Sequence, residues 1–198
     1  MGRSSRTRDR RPGVDRASAQ DLHATDSGTG PAPAPSLASA TLPRVWQGVG
    51  YRPLPEPARA RPLFEFAALP WPAGEVALAW GAWTAAAEGE RLVGALAAER
   101  SGRAALFHGP VVLTADGPDD PLEVAGQLVA AGLDHAAALG AVTVFARPQS
   151  LDRVWVRFGF IPVPEVALPP ALAGRTGAGL YAWRGGSALW TLRDTAGA

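Results

Sequence analysis

Cysteine and lysine are both missing from this 198-residue chain, and histidine occurs only three times. Without cysteine there is no disulfide, no thiolate nucleophile and no zinc site of the usual cysteine-containing kind. The three histidines are scattered and lack the spacing of metal ligands, so we predict that the protein binds no metal. There is also no uninterrupted run of about eighteen apolar residues and no secretion-signal pattern at the N-terminus. We therefore predict a soluble, cytoplasmic protein without a membrane partner.

All nineteen basic residues are arginine, which is most simply explained by a codon or lineage bias. Six of them fall within residues 1–16 beside two aspartates, which leaves 13 basic and 16 acidic residues and a net charge of −3 for the rest. Bulk charge should therefore not draw nucleic acid to the folded part, and we predict no nucleic-acid partner. The alternative is that the N-terminal arginines form a basic arm for nucleic acid or acidic partners.

Residues 1–42 contain almost nothing large and apolar to bury, and they pass from a basic stretch into GTGPAPAPSLASA. Ordering such a segment would cost conformational entropy without burying apolar surface, so we predict a disordered tail. The remaining residues 43–198 suffice for one domain and are too few for two ordinary ones.

Short apolar runs separated by charged, glycine-bearing breaks begin at Trp83. The runs are WTAAA, RLVGALAAE and AALFHGPVVL, and the breaks are EGE and RSGR. This pattern predicts an antiparallel meander of three strands. Just upstream, GEVALAWGAW has apolar residues at helical spacing, so we predict a helix there. Those residues are Val76, Ala79, Trp80 and Trp83.

The segment PLEVAGQLVAAGLDHAAALG has the periodicity of an amphipathic helix and ends at Gly140. The apolar run AVTVFAR follows it, so strand, helix and strand form a βαβ unit with a parallel pair. RVWVRFGF then predicts a short helix that ends at Gly159. The expected fold is an α/β (α+β) domain with a mixed antiparallel and parallel sheet flanked by helices. Ligands bind such sheets beyond the carboxyl ends of the strands, where the helix begins.

The order and spacing of these elements resemble the GNAT acetyltransferase family. The residues that carry the resemblance are EGERLVGALAAE, the LGA turn at 139–141 and RVWVRFGF at 153–160, and it covers roughly residues 45–190. The resemblance implies the GNAT-like acyl-CoA N-acyltransferase fold and acetyl-CoA as co-substrate. It also implies transfer of the acetyl group to the amine of a small molecule or a peptide.

In that family, bare backbone amides in the loop before the helix hold the pyrophosphate of acetyl-CoA. The corresponding residues here are 120–125, of which only Ala125 fits the family pattern. Asp120 replaces the usual arginine or glutamine, Glu123 replaces a glycine, and Pro121 removes one amide donor. A shift of the motif's register along the helix would place Gly126 among the backbone amides that hold the pyrophosphate. The implied acetyl-CoA contacts are therefore Leu113, Thr114, Ala115, Val124, Ala125 and Gly126.

The resemblance also directs attention to an acid and a base. The family often has a tyrosine as general acid where this chain has Trp155, whose indole N–H is not acidic at neutral pH. Tyr181 is the substitute acid that the sequence offers. For the base that deprotonates the amine, Glu99 and His108 on the meander strands are the candidates. The alternative for His108 is a buried histidine bonded to backbone, and His135 is predicted to be solvated.

Two other interpretations remain open at this point. The departures at Asp120, Glu123 and Trp155 would suit a non-catalytic, GNAT-like binding or scaffold domain. A nucleotide-binding protein of another α/β family would need a Rossmann or P-loop signature, and none follows a predicted strand. Trp183 and Trp190 fit either the edge of a homodimer or the closing strands of a single domain.

Overall fold

The structure, a computed structural model, describes residues 35–113, 120–148, 151–173 and 189–192. Within these ranges eight strands form one sheet. The strands are β1 (Arg44–Trp46), β2 (Val49–Pro53), β3 (Val76–Ala86), β4 (Gly89–Ser101), β5 (Ala104–Val112), β6 (Thr143–Ala146), β7 (Phe160–Val163) and β8 (Leu189–Leu192). The α-helices are α1 (Leu37–Ala40), α2 (Arg61–Phe66), α3 (Pro121–Ala138) and α4 (Asp152–Arg157). Three-residue or four-residue 3-10 helices lie at Pro57–Ala60, Glu165–Ala167 and Pro170–Leu172.

The strand order in the sheet is β1-β2-β3-β4-β5-β6-β8-β7. Neighbouring strands from β1 to β5 are antiparallel, β5 and β6 are parallel, and β8 runs antiparallel to both β6 and β7. Helix α3 makes the crossover between the parallel pair. The predicted mixed sheet flanked by helices is therefore confirmed, and so is the meander β3-β4-β5.

Apolar side chains cover both faces of the sheet. On one face, α3 and α4 close a core that contains Trp80, Phe107 and Trp155, which we call the α3 core. On the other face lie two separate clusters. The α2 cluster contains Phe64 and Trp83 among others. The β8 cluster consists of Ala104, Leu106, Phe145, Leu168, Leu172 and Leu189.

The predicted helix in GEVALAWGAW is wrong, because this segment is the first part of strand β3. Leu78, Trp80 and Ala82 face the α3 core, whereas Ala79 and Trp83 face the α2 cluster. A strand that is buried on both faces loses the alternation of apolar and polar residues. The apolar spacing that remained happened to match a helix, and the meander therefore begins at Val76 rather than at Trp83.

Ordered structure begins before residue 43, where the sequence predicts the domain to start. Helix α1 is capped by the Ser36 hydroxyl, which accepts a hydrogen bond from the Ser39 amide at 3.2 Å. Ala40 is buried. The predicted disorder of residues 1–34 lies outside the described ranges. No helix within those ranges is long and apolar enough to cross a membrane.

His135 is half-buried rather than solvated, which corrects the prediction for this residue. The indole N–H of Trp80 donates to His135 Nδ1 at 3.2 Å. Burial lowers the pKa of His135, so the ring is neutral and carries its hydrogen on Nε2 while Nδ1 accepts. This histidine is therefore a structural partner of the core tryptophan.

Trp190 lies on β8 between β6 and β7, as a closing strand requires.

Helix α3 packs tightly against side chains of the sheet at Gly132. A Cβ atom there would overlap Leu96 Cδ2 and lie 3.1 Å from Phe107 Cε2. We expect Gly132→Ala to lower the free energy of unfolding by about 1–3 kcal/mol, because overpacking outweighs the better helix propensity of alanine. Urea denaturation provides the measurement.

Gly126→Ala is the matched control for this experiment. It lies in the same helix, and its added Cβ would meet only Arg157 Nη1 at an ordinary 3.6 Å. The control should be neutral or stabilising by up to about 1 kcal/mol, from helix propensity alone. Equal effects of the two substitutions would contradict the close approach at Gly132.

Candidate active site

The parallel strands β5 and β6 pair over only part of their length. The last pair is Phe107 with Ala146, where β6 ends, whereas β5 continues to Val112. Residues 108–112 of β5 therefore extend beyond β6 at the carboxyl end of the parallel pair. Sheets of this kind bind ligands at that end.

A β-bulge lies in β5 directly after the last pair with β6. Val111 pairs with Ala95 of β4, and His108 pairs with Ala97, so Gly109 and Pro110 together oppose one residue of β4. Gly109 has a φ of +87°, which favours glycine, and proline cannot donate a ladder hydrogen bond. A bulge bends its strand and re-aims the neighbouring side chains. The backbone at Gly109-Pro110 therefore favours a bend in β5 directly beside His108.

The buried polar or charged side chains in the described part of the chain are Glu99, His108 and Arg147. Glu99 and His108 are neighbours: Glu99 Oε2 lies 3.0 Å from His108 Nε2, and the two residues are 2% and 7% exposed. Arg147 is the first residue after β6. His108 and Arg147 directly follow the last pair of β5 and β6, and Glu99 contacts His108 from β4. Buried ionisable groups at such a strand end are typical of functional sites.

The contact with Glu99 decides which nitrogen of His108 is free. An ionised Glu99 can only accept a hydrogen bond, so Nε2 of a neutral His108 carries the hydrogen and donates it. Nδ1 then keeps its lone pair and can accept a proton. The carboxylate would stabilise the imidazolium that results, and the pair can therefore act as a general base.

Arg147 forms a second polar pair on this part of the sheet. Its Nη1 and Nη2 atoms donate to the two carboxylate oxygens of Glu165 at 2.6 and 2.8 Å. The arginine side chain is 3% exposed, and that of Glu165 is 49% exposed. This bidentate geometry fixes the guanidinium plane. Sequence reasoning missed Arg147, although an arginine that directly follows a buried strand is an unusual place for a charge.

The backbone amides at the start of α3 are satisfied within the protein. Asp120 Oδ1 accepts from the amides of Leu122 and Glu123 at 3.0 and 3.1 Å. Pro121 has no N–H, and the Val124 amide donates to the Asp120 carbonyl at 3.2 Å. Asp120 is thus an ordinary N-cap. The predicted amide cradle for a pyrophosphate would have to displace this cap.

Glu123 is held by two neighbours instead of pointing at a ligand. Its Oε2 accepts from Arg157 Nη1 of α4 at 2.8 Å, and its Oε1 accepts from Gln127 Nε2 at 2.9 Å. The hydrogen bond from Arg157, followed by that from Gln127, lowers the pKa of Glu123. The Glu123 carboxylate, which stands where the family pattern has a glycine, is therefore ionised and paired with the Arg157 guanidinium.

A cavity of about 260 Å³ opens beside this helix terminus. Its lining residues are Asp120, Leu122, Glu123, Arg153, Val154 and Arg157. Arg153 and Arg157 are four residues apart on one face of α4, so both line the same cavity. Sequence reasoning missed these two arginines, and their spacing in RVWVR was the available signal.

The remaining predicted acetyl-CoA contacts are placed as follows. Leu113 follows β5, and its amide donates to the Val93 carbonyl at 2.8 Å. Val124, Ala125 and Gly126 are buried in the first turns of α3. Thr114 and Ala115 lie outside the described residues. Contacts of these six residues with acetyl-CoA stay a prediction.

The two tyrosines of the chain are Tyr51 and Tyr181. Tyr181 lies outside the described residues. Tyr51 is on β2, three strands from β5, and burial together with the Glu123 carboxylate raises its pKa to about 12. Trp155, at the family's acid position, is fully buried in the α3 core. Neither Tyr51 nor Trp155 can therefore supply a proton to a thiolate at neutral pH.

A mixed sheet with a single parallel crossover, in which β5 extends beyond β6, is the architecture of the GNAT acyltransferases. No protein-family model and no curated protein sequence matches this chain. Among solved structures, N-acetylglutamate synthase from Neisseria gonorrhoeae with coenzyme A and L-arginine has a TM-score of 0.52 at 15% identity. That match covers 74% of this chain and 33% of that chain.

The same Neisseria enzyme with coenzyme A and N-acetyl-glutamate has a TM-score of 0.48 at 16% identity, covering 76% of this chain and 36% of that one. A GNAT-family acetyltransferase from Brucella melitensis with acetyl-CoA has a TM-score of 0.39 at 17% identity, covering 57% and 82% of the two chains. The chain thus spans about a third of the length of the synthase chains. At 15% identity and a TM-score of 0.52, the likeness to the synthase with L-arginine shows the fold alone, which is the GNAT-like acyl-CoA N-acyltransferase fold that the sequence predicts.

Proposed function

We propose that this protein is an acetyl-CoA-dependent N-acetyltransferase that acts on an amine. The observation that carries the proposal is the buried pair of His108 and Glu99, placed where β5 extends beyond β6 in a GNAT-like fold. A buried base just beyond the last pair of the parallel strands suits the deprotonation of an amine next to a thioester. The acceptor is a small molecule or a peptide.

The reaction requires little beyond positioning and one proton acceptor. His108 Nδ1 takes a proton from the acceptor ammonium group, and Glu99 stabilises the imidazolium. The amine nitrogen then attacks the thioester carbonyl, so that a C–N bond forms and the C–S bond breaks. Coenzyme A leaves as a thiolate, which takes up the second proton of the attacking nitrogen as the amide forms. Holding the amine and the thioester side by side supplies much of the rate enhancement.

Arginine side chains take over the role of bare amides in binding the phosphates. Arg153 and Arg157 face the cavity at the start of α3, and the helix dipole adds to their positive charge. Glu123 opposes this, because it occupies one edge of Arg157. The pantetheine arm would follow Leu113 to Ala115 along the end of β5, with Val124 to Gly126 beneath it.

One observation favours a second candidate, a non-catalytic binding or scaffold domain with this fold. Asp120 caps the amides that would hold a pyrophosphate, and Glu123 places a carboxylate beside them. If these charges abolish acetyl-CoA binding, the fold serves another purpose. Binding must therefore be measured before activity.

We expect the full-length protein to bind acetyl-CoA in calorimetric titration, and the Arg153→Gln/Arg157→Gln variant to bind about tenfold more weakly. The reason is the loss of charge-assisted hydrogen bonds to phosphate. Arg61→Gln is the matched control, because Arg61 also forms an exposed ion pair, with Glu65 at 2.9 Å, but lies on α2. The control should leave the affinity unchanged.

Two outcomes would overturn the proposal. One is the absence of heat and of a thermal shift at millimolar acetyl-CoA. The other is affinity that emerges only when Asp120→Arg and Glu123→Gly are combined, which would identify the natural chain as the non-catalytic domain.

A further inference from the structure

The acceptor side of the proposed site contains a second polar group that amine deprotonation does not use. Phe107 and Ala146 are the last pair of β5 and β6; His108 follows within β5, and Arg147 follows directly after the end of β6. Phe107 and Ala146 both belong to the α3 core. Because side chains alternate along a strand, His108 and Arg147 both lie on the opposite face.

The partners of these two residues confirm that they share a face. Glu99, which contacts His108, pairs in register with Leu106 of the β8 cluster. Glu165, which contacts Arg147, lies three residues before Leu168 of the same cluster. One face of the sheet thus presents a base with its carboxylate and, on the adjacent strand, a buried guanidinium.

Among the described residues, hydrogen bonds are made by only one edge of that guanidinium. Glu165 accepts from both Nη atoms. The Nε atom is buried and has no hydrogen-bond partner among the described residues. A buried donor without a partner is costly, and the edge formed by Nε and one Nη matches a carboxylate. Arg147 therefore has a donor edge suited to a second carboxylate.

We propose that Arg147 binds the carboxylate of the acceptor, which is a small amino carboxylate whose amine lies against His108 and Glu99. This inference rests on the proposed acetyltransferase function and specifies its acceptor. The charges agree: the ammonium group of such an acceptor lies against His108, whose ring is backed by the Glu99 carboxylate, and its carboxylate faces Arg147. His108 and Arg147 each directly follow the last pair of β5 and β6, where paired strands are about 4.8 Å apart, so a compact zwitterion suits the two groups.

The test compares amino acids with their amides, which differ only in the carboxylate. The probes are glycine, L-alanine, L-glutamate and L-phenylalanine and the corresponding α-amides, with acetyl-CoA and detection of the released thiol. We expect wild-type protein to prefer the acids of at least one pair. Arg147→Gln should lower kcat/KM for that acid by about 10- to 100-fold, the value of a hydrogen bond to a charged group. Its effect on the amide should be small.

Two further variants separate recognition from a structural role. Arg147→Lys keeps the charge but loses the Nε edge, so the preference for the acid should remain reduced. Glu165→Gln removes the competing carboxylate and should lower KM for the acid while leaving KM for the amide unchanged. A merely structural Arg147–Glu165 pair would give equal losses for acid and amide in all three variants, which would overturn the inference.

Binding measurements keep the test decisive if a variant fails to fold or turnover is slow. Calorimetric titration of wild-type protein, saturated with coenzyme A, with the same acids and amides must show tighter binding of an acid. Equal or tighter binding of the amides, or no binding of any acid, overturns this inference and leaves the proposed function intact. Failure to bind acetyl-CoA in the first titration overturns the proposed function itself.

Discussion

Replacing His108 by glutamine is expected to lower kcat for acetyl transfer by about 100- to 10,000-fold at neutral pH, the usual contribution of a general base. Glutamine can still donate a hydrogen bond to Glu99, so the buried carboxylate stays satisfied and the fold is kept. It has no nitrogen that can take up a proton. Initial rates of thiol release at saturating acetyl-CoA and acceptor give kcat, and calorimetry checks that acetyl-CoA affinity is unchanged.

Glu99→Gln and His135→Gln complete this experiment. Glu99 acts through His108 by stabilising the imidazolium and by orienting the ring, so Glu99→Gln should cause a smaller loss and alter the pH dependence of kcat/KM. His135 lies on the α3 side of the sheet, the face opposite to that of His108, where it accepts a hydrogen bond from Trp80. Its replacement should therefore leave kcat unchanged. Full activity of His108→Gln, with the protein folded, would place the base elsewhere.

The contact between Glu99 and His108 could in principle have been predicted from the sequence. The turn in RSGR pairs Ser101 with Ala104, and this register places Glu99 opposite Leu106 and His108 opposite Ala97. Glu99 and His108 are then diagonal neighbours on one face of a hairpin. Sequence reasoning named both residues as separate candidates for the base. The hairpin register makes them one functional pair.

The charges around the helix terminus could not be predicted in the same way. Glu123 and Arg157 are 34 residues apart, and their contact depends on how α4 packs against α3. Arg147 and Glu165 likewise meet only because the chain returns after β7. Local spacing predicts elements and hairpins, but it does not predict ion pairs between elements that are remote in sequence. The sequence alone therefore overstates the repulsion between a phosphate and the carboxylates of residues 120 and 123, because it does not show that both carboxylates accept hydrogen bonds within the protein.

Strand β3 shows a different limit. Its two faces are both buried, so the polar residues that would mark alternation are replaced by alanine, glycine and tryptophan. Periodicity alone cannot separate such a strand from a buried helix. The pairing of Gly81 with Ala95 and of Ala82 with Gly94 lets β3 and β4 lie against large side chains on both faces. Packing against both faces of the sheet, rather than local apolar spacing, therefore makes this segment a strand.

Trp155→Ala is expected to lower the free energy of unfolding by about 3–5 kcal/mol, as for other large-to-small changes in a core. The indole is fully buried, and its ring centre lies 4.9 Å from that of Phe160 and 6.4 Å from that of Phe107. It attaches the six-residue helix α4 to the α3 core. Urea denaturation followed by circular dichroism measures the loss.

Trp155→Phe is the control that separates packing from hydrogen bonding. The indole Nε1 is buried without a hydrogen-bond partner in the described part of the chain. Phenylalanine removes that unsatisfied donor, whose burial costs about 1–3 kcal/mol. This gain offsets part of the free-energy cost of the small cavity that phenylalanine leaves. The change should therefore cost far less than alanine. A Trp155→Ala protein that is as stable as wild type would show instead that position 155 is open, as an acid in contact with a departing thiolate would require.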